Sequence, residues 1–234
     1  MKRLLLASLL PLALPVCAGD FSSLGSLSQE QFRRLSEDLG AALSYKGVTP
    51  ATPLGLAGFD VGLEVSATDI RNSDLFRLAG NDAPDYITVP KIHLYKGLPF
   101  GFDVGAFVGG ASNVGSSVYG MDARYAVLAD GLATPAVALR VSATRTTDLG
   151  SLKISTMAAD AMLSKKLTLV TPYIGAGVVR TIAKASGVGL AEEDFRKSRV
   201  FVGVNVNFAI LNLAVEAERL GDNTTLSAKA GWRF

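Results

Sequence analysis

The sequence has one cysteine, Cys17, one histidine, His93, and one tryptophan, Trp232. A lone cysteine excludes an intramolecular disulfide framework, and a single histidine leaves no His and Cys cluster for a transition metal. Neither a metal nor any other cofactor is expected. An excess of one charge is also missing: 23 Lys and Arg stand against 21 Asp and Glu. Without residues 1–19, which contain Lys2 and Arg3 and no acid, the balance is 21 against 21. A neutral chain has no electrostatic footprint for nucleic acid, so no such partner is expected. The third absence is of long apolar runs. The chain is 49% hydrophobic with a mean hydropathy of +0.32, yet beyond its N-terminus it has no run of about 18 apolar residues. It is too apolar for an ordinary soluble domain and has no helix able to span a bilayer. Alternating strands resolve the conflict, because only their outward face needs to meet lipid.

What is present begins with Lys2 and Arg3, followed by an apolar run from Leu4 to Ala18 broken by Pro11 and Pro15. With the small residues Ala18 and Gly19, this reads as a secretory signal peptide, 1–19, cleaved after Ala18 or Gly19. A lipoprotein site at Cys17 is the rival reading, which Leu14, Pro15 and Val16 fit poorly because the residue before the cysteine should be small. Residues 20–54 form a second unit, an amphipathic helix and linker. Phe32, Leu35, Leu39, Ala42 and Leu43 recur at spacings of three and four. Ser28 is placed as N-cap with Gln31 three residues on, Glu30 lies in the first turn, and Arg33, Arg34, Glu37 and Asp38 take the polar side. Thr49 to Pro53 is an extended linker. The helix is either a surface helix or a plug, its face of Phe32, Leu35, Leu39 and Leu43 lying in or across the periplasmic mouth of a barrel.

From 55 to 234 the period is two. Ten strands are expected, with 8 and 12 as alternatives. The first, 56–67, sets Phe59, Val61, Leu63 and Val65 against Asp60, Gly62 and Glu64. The second ends at Lys96 and sets Pro90, Ile92 and Leu94 against Lys91, His93 and Tyr95. The next three cover 100–110, 117–128 and 135–146, with charges and glycines on the same face. In the sixth, 152–164, Leu152 and Ile154 imply one phase and Ala159, Ala161 and Leu163 the other, so a bulge near 155–158 is predicted. The seventh covers 169–181, the eighth alternates from Val200 to Phe208, the ninth covers 212–219, and the tenth closes the chain. In an up-and-down series the connections at 68–86, 111–116, 147–151, 182–197 and 220–223 fall on one side. The uniformly short ones fall on the other, the asymmetry that outer-membrane barrels show.

In the last strand, Leu226, Ala228, Ala230, Trp232 and Phe234 share one face and Lys229, Gly231 and Arg233 the other. On these residues alone an edge strand of a soluble sandwich is the competing reading. Together with the signal peptide and the strand pattern, this ending resembles small bacterial outer-membrane β-barrel proteins over residues 55–234. The passage from Thr52 to Asp60 after an amphipathic helix also resembles a group of proteobacterial barrels. The resemblance implies an all-β fold, a closed antiparallel up-and-down transmembrane barrel with one N-terminal helix. It further implies a Gram-negative outer-membrane location, and Trp232 and Phe234 as the signal read by the barrel-assembly machinery. Outer-membrane lipid and lipopolysaccharide are the other expected partners, and the protein is expected to be a monomer. Tyr119, Tyr125, Trp232 and Phe234 are candidate interface aromatics.

The lumen-facing charges predicted are Asp60, Glu64, Asp103, Asp122, Arg124, Arg140, Asp160, Glu216, Glu218, Lys229 and Arg233, with Lys153 on the same face. Acidic pairs such as Asp60 with Glu64 or Glu216 with Glu218 suggest acid and base chemistry or cation binding. Residues two or four apart on a strand simply share a face, however, and the bases opposite make an ion-pair network the better reading. His93 lacks a serine two residues away and falls near the periplasmic turn, so it reads as a lumenal histidine bonded to a neighbour. Lumen-facing glycines, among them Gly105, Gly120, Gly175 and Gly203, suggest space kept clear or strong curvature. The expected function is non-enzymatic: a narrow or gated porin-like pore for small solutes, or a structural envelope protein. The alternatives are a lipid- or envelope-modifying enzyme using His93, and an adhesion or ligand-binding barrel working through 68–86 and 182–197.

Overall fold

Alternation of apolar and polar residues gives every strand one face for lipid and one for a polar interior, and closure removes the two edges such a sheet would otherwise expose. The computed structural model describes residues 21–82, 84–111, 114–147 and 149–234, so the predicted signal peptide lies outside the described residues. The strands are β1 (Phe59–Asp69), β2 (Tyr86–Gly97), β3 (Phe102–Ala111), β4 (Ser116–Leu128) and β5 (Ala136–Thr147), followed by β6 (Leu152–Ser164), β7 (Val170–Ala185), β8 (Glu193–Phe208), β9 (Leu211–Leu220) and β10 (Asn223–Arg233). Each pairs antiparallel with its neighbours, and β1 meets β10 from Asp60 opposite Arg233 to Thr68 opposite Thr225. The result is a closed ten-stranded barrel. One mouth carries the start of β1 and the end of β10 and is called here the terminal mouth; the other, the loop mouth, carries the connection 70–85.

The outside is an apolar belt. Leu63, Ile92, Val141, Ile174, Val202, Val215 and Leu226 are each more than half exposed, far beyond what a water-facing surface tolerates as one continuous patch. The outward residues from Val200 to Phe208 span about 20 Å along the barrel axis at the usual rise and tilt. Exposed aromatics flank the belt. Phe100, Phe102, Tyr125, Phe208, Trp232 and Phe234 lie at the terminal mouth, and Tyr86 and Tyr119 toward the loop mouth. Such girdles mark membrane interfaces.

The interior is packed with charge. Asp60, Glu64, Asp103, Asp122, Asp160, Glu216 and Glu218 are buried there, as are Lys91, Arg124, Arg140, Arg199 and Lys229, with Arg233 partly so. The inward glycines do not keep space clear. Each of four has an aromatic directly across the ladder, Tyr95 opposite Gly105, Phe107 opposite Gly120, Phe201 opposite Gly175 and Tyr173 opposite Gly203. In every pair the ring lies over the glycine, where a Cβ would collide with it. The missing side chain gives the ring a seat, an arrangement that stabilises glycine in sheets.

Three features of the strands differ from expectation. β6 has no bulge: its register with β5 and β7 is unbroken, and the register shift lies in β4, between Ala126 and Leu128. Leu152 and Ile154 are inward residues, fully buried in the main apolar cluster, because a helix fills this mouth and needs apolar partners. The same phase puts Lys153 outside and exposed, not in the lumen. Finally, β7 and β8 run past the belt to Ala185 and Glu193, so their connection is 186–192 and not 182–197.

Candidate functional site

The N-terminal segment occupies the lumen. Helix α1 (Gln29–Leu43) starts with a reciprocal capping box: Gln31 N donates to Ser28 Oγ at 3.3 Å and Ser28 N to Gln31 Oε1 at 2.8 Å. Its apolar residues Phe32, Leu35, Leu39 and Leu43 are fully buried. The helix stands at the loop mouth, not at the terminal mouth to which its tether to β1 leads and across which it is expected from the sequence. Asp38, 1% exposed, fixes it there. Its carboxylate accepts from Asn72 N at 2.9 Å, Asn72 Nδ2 at 3.1 Å and Arg71 N at 3.3 Å in the 70–85 connection, and from Asn223 Nδ2 at 2.7 Å on β10. Arg33 pairs with Glu193 and Glu37 with Lys197, both on β8. Phe21 packs on Phe76 of a short helix, α2 (Ser73–Leu78), with ring centroids 6.0 Å apart.

From Ser44 the chain runs through the barrel to the terminal mouth, bonding the wall at each level. Tyr45 OH donates to Asp122 Oδ1 at 2.7 Å, and the Tyr95 hydroxyl lies between Tyr45 OH (2.8 Å) and the Gly47 carbonyl (3.1 Å). Lys46 Nζ is 3.3 Å from Glu218 Oε1 and donates to Ala41 O and Ser44 Oγ. Arg199 Nη1 donates to Tyr45 O at 2.7 Å. Lower down, Arg124 donates to Pro50 O, and Arg233 Nη2 to Thr49 Oγ1 at 2.8 Å. Ala51 packs in a cluster with Ala138, Met162, Tyr173 and Phe201. Leu54 N donates to Asp103 Oδ1 at 3.0 Å, and Gly58 O accepts from Gly97 N where β1 begins.

Two aspartates are hubs of the wall network. Asp160 takes Arg140 Nε at 2.9 Å and Arg199 Nε at 3.0 Å. Asp60 takes Lys229 Nζ at 2.9 Å and Arg233 Nε at 2.9 Å, and lies 3.1 Å from His93 Nε2. Arg124 pairs with Asp103 at 2.5 Å and Lys91 with Glu64 at 2.7 Å. Pairing of this kind offsets the cost of removing charge from water. His93 is 2% exposed, and its only hydrogen bond among the described residues is the one to Asp60. Glu216, 4% exposed, is different: among the described residues its carboxylate has only the Tyr173 hydroxyl beside it, and the hydroxyls of Ser66 and Ser227 have no hydrogen bond. The plug thus engages much of the wall, leaves hydroxyls on β1 and β10 unmatched, and makes no hydrogen bond to the Glu216 carboxylate on β9.

Three charged members of the site, Lys46, Lys91 and Arg199, are missing from the predicted set of lumen charges, although Lys91 falls on the polar face of its strand. Lys46 is the single charge between Ser44 and Leu54, and Arg199 shares the parity of the inward Phe201. Val48, buried beside them, has φ 41°, a left-handed backbone that costs a β-branched residue roughly 1–3 kcal/mol.

No family model matches the chain, and no curated protein matches it. Among solved structures it is similar to Neisserial surface protein A, at 13% identity over 75% of this chain and 95% of that one, with a TM-score of 0.36. It is similar to the KdgM porin in complex with disordered oligogalacturonate, at 9% identity over 75% and 99%, with a TM-score of 0.40. A third similarity is to the translocator domain of the autotransporter NalP from Neisseria meningitidis, at 12% over 88% and 95%, also with a TM-score of 0.40. These are likenesses of one small barrel to others, and the chain itself is a closed antiparallel barrel of ten strands whose charged lumen is stopped by its own N-terminal segment.

Proposed function

We propose that the protein is an integral outer-membrane barrel that acts as a gated pore for small solutes, non-enzymatic, with residues 21–54 as the gate in its closed position. The terminal mouth faces the periplasm and the loop mouth the outside. The observation that carries this reading is the unmatched polar wall. If the lumen served only to hold the segment, burying Ser66 and Ser227 without partners, and the Glu216 carboxylate with only the Tyr173 hydroxyl beside it, would cost about 1–3 kcal/mol each for no return. A wall that water lines when the segment leaves needs those groups. The strained backbone at Val48 adds a contribution that release recovers. Neither alternative has such support. His93 is buried against Asp60 with no hydroxyl bonded to it among the described residues, and the 70–85 connection is engaged in holding α1 through Asp38.

The test is single-channel conductance of the refolded protein with and without residues 21–54, with heat-dependent gel mobility as the control for a folded barrel. The full chain is expected to show rare, brief openings and the truncated chain a steady current. Two folded forms that both pass no current would sink the pore reading and leave a structural envelope barrel.

A further inference from the structure

The apolar belt does not end symmetrically. On five consecutive strands the first outward charge met on moving toward the loop mouth is basic: Arg145 on β5, Lys153 on β6, Arg180 on β7, Arg196 on β8 and Arg219 on β9. Across the barrel the pattern is absent. The corresponding outward positions are Thr224 on β10, Asp69 on β1 and Tyr119 on β4. Within the arc, cations face each other directly. Arg180 stands opposite Arg196, and Lys153 opposite Lys184. Like charges in that position destabilise a sheet, so both pairs call for an anion.

The protein supplies only part of it. Asp194 binds Arg180 at 2.5 Å and Glu192 lies 3.7 Å from Lys184. Arg145, Lys153, Arg196 and Arg219 form no salt bridge among the described residues, although Asp194 lies near enough to Arg196 to feel its charge. Within two outward positions below the cations, past Ser155 on β6 and Ser198 on β8, the exposed side chains are apolar: Val141, Met157, Val178 and Val200. A ligand that satisfies both levels carries phosphates above several acyl chains. Guanidinium groups take phosphate oxygens in bidentate fashion, and a basic residue near a charged lipid surface is worth about 1 kcal/mol.

We propose that this arc on β5 to β9 is a binding site for the phosphorylated glycolipid of the outer leaflet, lipopolysaccharide, its phosphates bridging Arg180 to Arg196 and Lys153 to Lys184. The proposal rests on the reading that the loop mouth faces outward across an outer membrane.

Binding of diphosphoryl lipid A to the full-length protein in neutral detergent tests it, with phosphatidylglycerol and inorganic phosphate as comparison probes. The variant R145Q/K153Q/R196Q removes three of the arc cations that form no salt bridge. R34Q/R77Q/K166Q removes three exposed cations outside the arc. The arc variant is expected to lose about a hundredfold in lipid A affinity, while the control stays within about threefold of the parent and phosphatidylglycerol binds the parent less tightly. Equal losses in the two variants, or phosphatidylglycerol binding as tightly as lipid A, would overturn the site, since both mean general attraction to charge. Inorganic phosphate binding as tightly as lipid A would overturn the lipid as its source. Membrane fractionation separates the two levels of failure. A parent protein found soluble in the periplasm overturns the outer-membrane reading, whereas an arc variant that sits in the outer membrane and binds lipid A like the parent overturns the site alone.

Discussion

Asp160→Ala is expected to lower the stability of the barrel by about 3–5 kcal/mol, the usual cost of removing one partner from a buried charge cluster. Asp160 is the acid that forms a salt bridge with Arg140 and the main one of Arg199, whose second, Glu218, is 3.5 Å away. All three residues are essentially fully buried. Without the carboxylate, two guanidinium groups are left together beside the Phe201 ring with half their partners gone. The loss should also reach the gate, because Arg199 holds Tyr45 O and Arg140 lies over the Tyr45 ring. The measurement is the urea midpoint in micelles, at unchanged slope. A companion variant, D160A/R140M/R199M, should recover most of the loss, since a buried ion cluster replaced as a whole by apolar groups of similar volume is often neutral. If D160A alone shifts the transition by less than about 1 kcal/mol, water screens the lumen and the dry, interlocked network described above is wrong.

Gly40→Leu is expected to raise the open-to-closed ratio of the gate by about tenfold or more. The physical reason lies in two opposed effects. Leucine in place of glycine favours the isolated helix by about 1 kcal/mol, so a looser helix is not the cause. At the wall, however, a Cβ on Gly40 would stand 2.6 Å from Thr181 Oγ1 and 2.8 Å from Thr181 Cγ2 on β7. Overpacking of this kind costs about 1–3 kcal/mol, and each 1.4 kcal/mol is a factor of ten. Conductance and the rate of protease cleavage within 21–54 should rise together while the barrel's heat-dependent mobility stays the same. Tighter closure than the parent would mean that helix propensity governs the gate and that contact with β7 does not.

Much of the barrel was legible because a period of two, repeated down the chain, settles which residues share a face. The parity that puts Asp60 beside Glu64 and Glu216 beside Glu218 is the parity of the buried positions. The reading failed where a third body intrudes. Leu152 and Ile154 break the pattern because they lie in the apolar cluster with α1, and their phase on its own implies a bulge and an inward Lys153. Polar stretches beyond the belt, such as Glu193 to Ser198, carry no lipid-facing signal and read as loop, although they are strand. The position of α1 was out of reach for another reason. A tether at 55–58 says where the segment begins, whereas the mouth it reaches is decided by contacts such as Asp38 with Asn72 and Asn223, which are far apart in sequence.

The passage of residues 44–54 from one mouth to the other makes the gate mechanically one-sided. A pull on the chain ahead of Ser28, directed away from the loop mouth, is transmitted along that extended stretch to Gly58 and Phe59, where Phe59 and Phe234 exchange hydrogen bonds at 2.7 and 3.0 Å. Such a load draws the thread taut and bears on the seam between β1 and β10, and the lumen stays occupied however far α1 is lifted. Only retreat toward the terminal mouth clears it. A force or partner that opens this barrel therefore acts from the side on which its strands begin and end.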